Sequence, residues 1–274
     1  MSVFTINPEK CNRCGMCVFE CPLGVITMTE PEALPTMAEG GDERCIVCGH
    51  CVGVCAPGAL SHRAMAPEDL ENVIRRQLPS PAQAERLFKS RRSIRVYRKK
   101  PVPRELLAKA IDIARYAPSG HNSQPVHWLV VEDPQETRRL AGLVVDWMRR
   151  TLKTSPEIAE ALRFDLIVGA WIMGIDVPLH GAPHVVVAHA PKDAPLAENS
   201  CSLALAYLEL AAYSLGLGAC WAGYFQLAAT NHPPMVEALG LPEGHHSFGA
   251  VMMGYPKYRF SRIPSRTEAR VTWR

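Results

Sequence analysis

Charge of one sign is scarce in this 274-residue sequence: Lys and Arg number 30 against 27 Asp and Glu, a net charge of +3. That balance does not suggest a nucleic-acid binder overall, although a local basic run still has to be weighed. It also lacks an uninterrupted membrane-crossing run. The longest uncharged stretch, Leu210 to Ala229 (LAAYSLGLGACWAGYFQLAA), has about the length a bilayer requires. Gly216, Gly218 and Gly223 break it, Glu209 sits at its edge, and the nearest basic residues, Lys192 and Lys257, are too far away to orient an insertion. It reads as a buried interface helix followed by a turn and a strand. The opening MSVFTINPEK carries charges and no apolar core of a secretory leader, so the expected setting is cytoplasmic and thiol-reducing. Past residue 55 cysteine is nearly absent, and the two exceptions, Cys201 and Cys220, lie among apolar neighbours and read as packed thiols. Composition excludes a largely disordered chain, with 47% hydrophobic and 21% charged residues. The length suggests two domains.

The other eight cysteines are concentrated and ordered. Cys11, Cys14, Cys17 and Cys21 form C-x2-C-x2-C-x3-C before Pro22, and Cys45, Cys48, Cys51 and Cys55 repeat the spacing. CNRCGMCVFECPLGVI aligns without gaps on CIVCGHCVGVCAPGAL, matching every cysteine, Gly15 with Gly49 and Gly24 with Gly58. A cubic [4Fe-4S] cluster needs four thiolates; three on one tight loop each grip a different iron, and the fourth comes from elsewhere. A disulfide knot and a pair of all-cysteine zinc sites are the competing readings; the first is disfavoured by the absent leader, the second by intervals shorter than zinc pairs usually have. Residues 1 to 65 resemble the bacterial-type 2[4Fe-4S] ferredoxins. The resemblance implies crossed ligand sets: Cys11, Cys14, Cys17 and Cys55 for one cluster, and Cys45, Cys48, Cys51 and Cys21 for the other. In the second run the proline falls one residue late, at Pro57 after Ala56.

PEDLENVIRRQL and PAQAERLFKSRRS then suggest two short amphipathic helices that start at prolines, giving a short, ordered linker. The expected organisation is a ferredoxin domain over 1 to 65, a helical linker over 66 to 85 and a second domain over 86 to 274. In that domain Leu106, Leu107, Ala110, Ile111, Ile113 and Ala114 have helical spacing; Trp128 to Val131, His184 to Ala188 and Phe248 to Met253 read as strands; Leu203 to Leu215 reads as a central buried helix.

Arg91 to Lys100 (RRSIRVYRKK) is open to three readings: a nucleic-acid patch, a solvated face, or a phosphate clamp in which arginine forks and a serine hydroxyl bind phosphate oxygens. Its company decides. RRSIRVY, APSGHNSQPVHW, LELAAYSLGLGACWAGYF and GYPKYRFSRIPSR occur in that order, and together they resemble segments of the nitroreductase family over roughly residues 86 to 274. The whole chain is thus similar to a ferredoxin fused to a nitroreductase. The fold this implies is α+β, a small 2[4Fe-4S] ferredoxin-like domain followed by a nitroreductase-like mixed sheet surrounded by helices, dimeric.

The resemblance further implies FMN at a homodimer interface. Arg91, Arg92, Ser93 and Arg95 match contacts to the flavin phosphate and ring edge. Pro118, Ser119, Gly120, Asn122 and Gln124 match a loop reaching FMN from the other subunit, and Gly223 and Tyr224 fall where backbone amides approach flavin N5. The acidic residue that some members carry there is absent. Arg266 matches an arginine returning to the phosphate, with Arg262 its rival. Gly218 and Gly223 would let backbone lie close to the ring. LGLGACW is no dinucleotide fingerprint, since its third glycine is missing and it follows a helix.

The function expected on this basis is an iron-sulfur flavoprotein oxidoreductase, in which clusters relay single electrons to FMN and FMN reduces an electron-poor small molecule, such as a nitro compound or quinone, by hydride transfer. The external donor would be a ferredoxin, a flavodoxin or NAD(P)H. An ene-reductase or dehalogenase on the same scaffold, or a non-catalytic electron carrier or redox sensor, are the alternatives. His121 and Tyr224 are candidate proton donors. The remaining histidines, including the adjacent pair His245 and His246 on opposite faces of a strand, show no paired metal spacing. ARVTW near the C-terminus could add an edge strand to a partner.

Overall fold

The cysteine repeat folds twice into the same local shape in this computed structural model, which describes residues 2 to 274. Gly15 (φ 71°, ψ −1°) and Gly49 (φ 75°, ψ −1°) each sit in the left-handed region that only glycine enters at little cost, and each launches a four-residue helix: α1 (Met16–Phe19) and, in the second copy, α3 (His50–Gly53). Around them lie β1 (Phe4–Ile6), β2 (Ile26–Thr27), β3 (Thr36–Met37), α2 (Gly41–Arg44) and β4 (Leu60–His62). β1 pairs antiparallel with β4, setting Phe4 opposite His62, and β2 pairs with β3. Phe4, Val25, Ile26, Val52 and Leu60 form a small buried core that Cys17, Cys21, Cys51 and Cys55 pack against.

These residues belong to a first unit that runs to Leu78 and includes His121–Ser123; Pro79–Gly120 and Gln124–Arg274 form the second. The stretch from Pro67 to Leu78 is not the helix its sequence suggests. It makes two 3-10 turns, Pro67–Asp69 and Arg75–Gln77. Leu70, Val73, Ile74 and Leu78 all remain exposed, so no packing offsets the nucleation cost of a short helix. The next segment does become helix, α4 (Pro81–Ser90), because Ser80 and Gln83 form a reciprocal capping box and Pro81 takes the first turn.

The second unit continues with α5 (Arg104–Ala114), β5 (His127–Val131), α6 (Pro134–Thr154), α7 (Pro156–Ala161), α8 (Phe164–Ile172), β6 (His184–Pro191), α9 (Ala197–Ser214), β7 (Gly218–Trp221), α10 (Gly223–Asn231), α11 (Pro233–Leu239) and β8 (His245–Gly254). The strands run in the order β5-β6-β8-β7. Every pairing is antiparallel, which refines the expected mixed sheet. Alternation along β6 sorts the core by face: Val185 and Val187 pack with α6, α8 and α10, while Val186, Ala188 and Ala190 pack with α5 and α9. The expected strands and central helix fall within β5, β6, β8 and α9, and Leu210 to Ala229 is the end of α9, a turn at Gly216, β7 and most of α10. Among the described residues no helix is long and apolar enough to cross a membrane. Beyond β8 the chain from 257 to 274 carries neither helix nor strand and is exposed throughout.

Candidate functional site

The first unit gathers its thiols in two groups. Cys21, Cys45, Cys48 and Cys51 line one cavity with Phe4, Val25, Ile26 and His62. Burial pushes the Cys51 thiol up to about 11, and Cys48, Cys45 and Cys21 add to the rise. In the other group Cys17 is raised first by burial, then by Cys55, Cys14 and Cys11. Each group is three cysteines of one run with the last cysteine of the other. None of the ten cysteines is in a disulfide. Left as thiols, Cys17 and Cys51 resist ionisation; iron removes that penalty by replacing the proton. The donor set therefore fits a cubic cluster at each group.

Backbone donors face these sulfurs. Val25 N–H donates to Cys21 Sγ at 3.4 Å, and Ala59 N–H to Cys55 Sγ at 3.3 Å, equivalent bonds in the two repeats. Arg13 (φ 56°) and Val47 (φ 53°) hold equivalent left-handed conformations inside the two cysteine loops, costly for a β-branched residue and typical of backbone bent to a task.

In the second unit Arg91 to Arg95 runs alongside β7, with Ile94 N–H donating to Ala219 O at 3.0 Å. Arg91 Nη1 meets Glu209 Oε1 on α9 at 3.1 Å, and Trp221 Nε1 donates to Glu209 Oε2 at 3.0 Å. Burial raises the Glu209 carboxyl, with Arg91 and Trp221 opposing it. Arg92 lines a cavity of about 380 Å³ with Ser90, Ile94, Tyr213, Gly216, Tyr258, Arg259 and Phe260. Ser93 lies against the Cys220 thiol, and the exposed Arg95 puts its charge near Cys220 and His180. Arg262 and Arg266 sit in the exposed C-terminal segment, outside any ion pair among the described residues.

The loop before β5 is strained. His121 (φ 51°), Asn122 (φ 53°) and Gln124 (φ 45°) all stand in the left-handed region. Ser119 Oγ accepts from Gln124 N–H at 2.9 Å, and Pro118, Ser119 and Gln124 line a small cavity with Trp128 and Ser200. Ser200 Oγ is buried without a partner there, a polar group that a ligand could satisfy. A Cβ at Gly120 would fall 2.7 Å from the end of the exposed Leu196 side chain, which would have to shift to admit it. Asn122, which belongs to the first unit, donates from Nδ2 to Val47 O at 2.9 Å, and His121 is exposed. Tyr224 points its hydroxyl at Leu162 O, 3.5 Å away, and packs edge-on to Phe164, the contacts of a core residue.

The two glycines differ. A Cβ at Gly223 would meet open space, leaving room for a ligand beside the start of α10, whereas one at Gly218 would fall 2.6 to 2.8 Å from Ile94. Gly218 thus makes room for the arginine segment itself. Gly218→Ala should cost about 1–3 kcal/mol by forcing Ile94 outward, seen as a thermal midpoint lower by about 5 °C. Adding Ile94→Ala should restore part of it.

Sequence reasoning passed over Glu209 except as a flank, and missed its bonds to Arg91 and Trp221. It also missed His127, His189 and His245, which three neighbouring strands bring together. His189 Nδ1 and His245 Nδ1 are 2.9 Å apart, and burial followed by the two neighbouring rings pushes His189 down to about 4. Only strand register, invisible in linear spacing, could have found that trio. Among the described residues no three His, Cys, Asp or Glu side chains are arranged to hold a single metal ion; a cubic cluster gives each thiolate its own iron and sets its sulfurs farther apart than one ion does. Cys201 is buried within the α5/α9 core and its thiol is pushed up to about 12, as expected of a packed thiol.

With the geometry in place, comparison with known proteins is decisive for the second unit: residues 88–255, over half the chain, match the model of the nitroreductase family. The chain belongs to the nitroreductase family. That match contains Arg91, Arg92, Ser93, Arg95, the strained loop, Gly223 and Tyr224, and ends before Arg262 and Arg266. Residues 10–60 match the model of the 4Fe-4S dicluster domain. A dicluster module is thus joined to a nitroreductase domain, the arrangement the resemblance implied. Over 171 residues the chain is 32% identical to the "Putative NADH dehydrogenase/NAD(P)H nitroreductase" of Methanothermobacter thermautotrophicus, covering 62% of this chain and 75% of that protein. An iodotyrosine deiodinase solved with FMN and 3-iodo-L-tyrosine is 27% identical, with a TM-score of 0.51 over 69% of this chain and 98% of that one. A nitroreductase from Bacteroides fragilis, solved with FMN, has 22% identity and a TM-score of 0.55, covering 69% of this chain and 99% of that one, and shows the shared fold.

Proposed function

We propose that this nitroreductase-family protein is an iron-sulfur flavoprotein oxidoreductase that binds two [4Fe-4S] clusters and FMN and reduces an electron-poor small molecule, a nitro compound or a quinone. The observation that carries the reading is the presence of two separate cysteine quartets on the same chain as a nitroreductase domain. When bound, the clusters supply electrons singly and the flavin takes them singly and releases them as a pair, the form such a reduction needs.

The residues divide the work. Cys11, Cys14, Cys17 and Cys55, and Cys45, Cys48, Cys51 and Cys21, are the proposed iron ligands. Arg92, Ser93, Arg95 and either Arg266 or Arg262 supply charge-assisted donors suited to a phosphate. Arg91 holds this segment against α9 through Glu209. Pro118, Ser119, Gly120, Asn122 and Gln124 form the loop offered to flavin, and the clear space beside Gly223 leaves room for a flat ring. A homodimer is supported by Leu203, Tyr207 and Tyr213, which α9 leaves exposed, and by Trp273 in the C-terminal segment. The electron donor is a reduced ferredoxin, a flavodoxin or NAD(P)H.

The deiodinase relative, solved with a halogenated amino acid, favours reductive dehalogenation as the second reading. Anaerobic turnover of the purified holoprotein tests both, after iron and flavin analysis. Reduced ferredoxin and NAD(P)H are compared as donors against nitroarenes, quinones, enones and halophenols. Product from nitroarenes or quinones supports the reading, and product from halophenols alone moves the assignment to the second. Cluster reoxidation without any product would make the protein a carrier. A yellow protein without iron would remove the relay.

A further inference from the structure

His62 closes β4 at 8% exposure, and its two ring nitrogens have distinct partners. Ala64 N–H donates to Nδ1 at 3.0 Å. A backbone amide can only donate, so Nδ1 carries the lone pair and the neutral ring bears its proton on Nε2. Nε2 lies 3.8 Å from Cys45 Sγ, and a thiolate sulfur can only accept.

The duplication supplies an internal control. Alignment of Cys11 with Cys45 places Met28 opposite His62, and a thioether has no proton to donate. The bonds from Val25 to Cys21 and from Ala59 to Cys55 are repeated in both copies. The imidazole bond to a run's first cysteine occurs once among the described residues.

We propose that His62 donates from Nε2 to the Cys45 sulfur and thereby sets the reduction potential of the cluster held by Cys45, Cys48, Cys51 and Cys21 above that of its twin; this rests on the reading of these cysteines as cluster ligands. Reduction adds one electron to a cluster, and its charge spreads onto the sulfurs, so a donor aimed at sulfur stabilises the reduced form more than the oxidised one. No bond breaks, and the proton stays on Nε2. The pair of clusters becomes a graded one, with the site beside His62 filling first.

Redox titration of the iron-replete full-length protein with dithionite, followed by electron paramagnetic resonance, reads each cluster separately. In the wild type two unequal one-electron midpoints are expected. His62→Met should weaken reduction of the higher-potential cluster about tenfold, or about 59 mV for one electron, with iron content and the other midpoint unchanged. His62→Gln, which keeps a donor, should retain most of the difference. Should His62→Met lose iron, Met28→His decides: a donor added to the other copy should raise the lower midpoint. Unmoved midpoints in iron-replete His62→Met, or in Met28→His, overturn the role of His62. Wild-type protein prepared anaerobically without iron would instead overturn the ligand reading beneath it.

Discussion

Replacing Arg91 with methionine is expected to lower the thermal midpoint of the protein by about 10 °C at pH 7, corresponding to roughly 3–5 kcal/mol for a buried carboxylate stripped of its partner. Glu209 is 8% exposed, and with Arg91 gone its one remaining partner is the Trp221 indole N–H. Its folded-state pKa is already raised above the usual 4.5 by burial, and losing the guanidinium raises it further. A carboxyl held up in the fold is protonated in both folded and unfolded chains below 4.5, so the penalty vanishes there. As pH climbs from that value toward the folded pKa, the unfolded chain ionises first and stability falls. Midpoints measured across this range should therefore converge with those of the wild type at the acid end. The double variant Arg91→Met/Glu209→Gln separates two roles for the arginine. If Arg91 acts mainly through Glu209, neutralising the carboxyl recovers most of the loss. A loss that persists in the double variant would show that Arg91 stabilises the fold through something other than Glu209.

How far the sequence could go depended on whether a contact is local. The cysteine runs, their glycines and the helix start at Pro81 were legible because each is decided within a few residues, and the backbone repeats one glycine conformation at Gly15 and Gly49; the capping box of Ser80 and Gln83 is equally local and was passed over. The strands were legible through their β-branched runs. The Pro67 to Leu78 helix failed because an apolar pattern makes a helix only when something covers it, and there Val73 and Leu78 stay in water. The long α6 escaped notice although Leu140, Val144, Trp147 and Met148 have helical spacing and are all buried. Partners distant in sequence stayed hidden: Glu209 is 118 positions from Arg91, and His245 is 56 from His189. In the candidate site, residue types were readable, but which arginine spends its charge on the protein itself was not.

Stripping iron from the holoprotein should unfold the first unit while leaving the second folded. Beyond its cysteines the first unit has little to hold it. Its buried core is Phe4, Val25, Ile26, Val52 and Leu60; its strands are two or three residues long and its helices four. A module of this size falls where hydrophobic burial alone rarely offsets chain entropy, and metal ligation makes up the difference. Without iron, burial and the neighbouring cysteines hold Cys17 and Cys51 as neutral thiols, and nothing then ties the sulfurs of a group together. The second unit has two extensive cores flanking one sheet and no part in this. Hydrogen exchange by mass spectrometry, before and after treatment with an oxidant and chelator, resolves the two. Amides of β1 and β4, which pair Phe4 with His62, should exchange as in an unfolded chain, while β6 amides keep their protection. Retained protection of the β1–β4 pairing in iron-free protein would show that the cysteine module folds without its metal, and that its thiols are gathered by the chain alone.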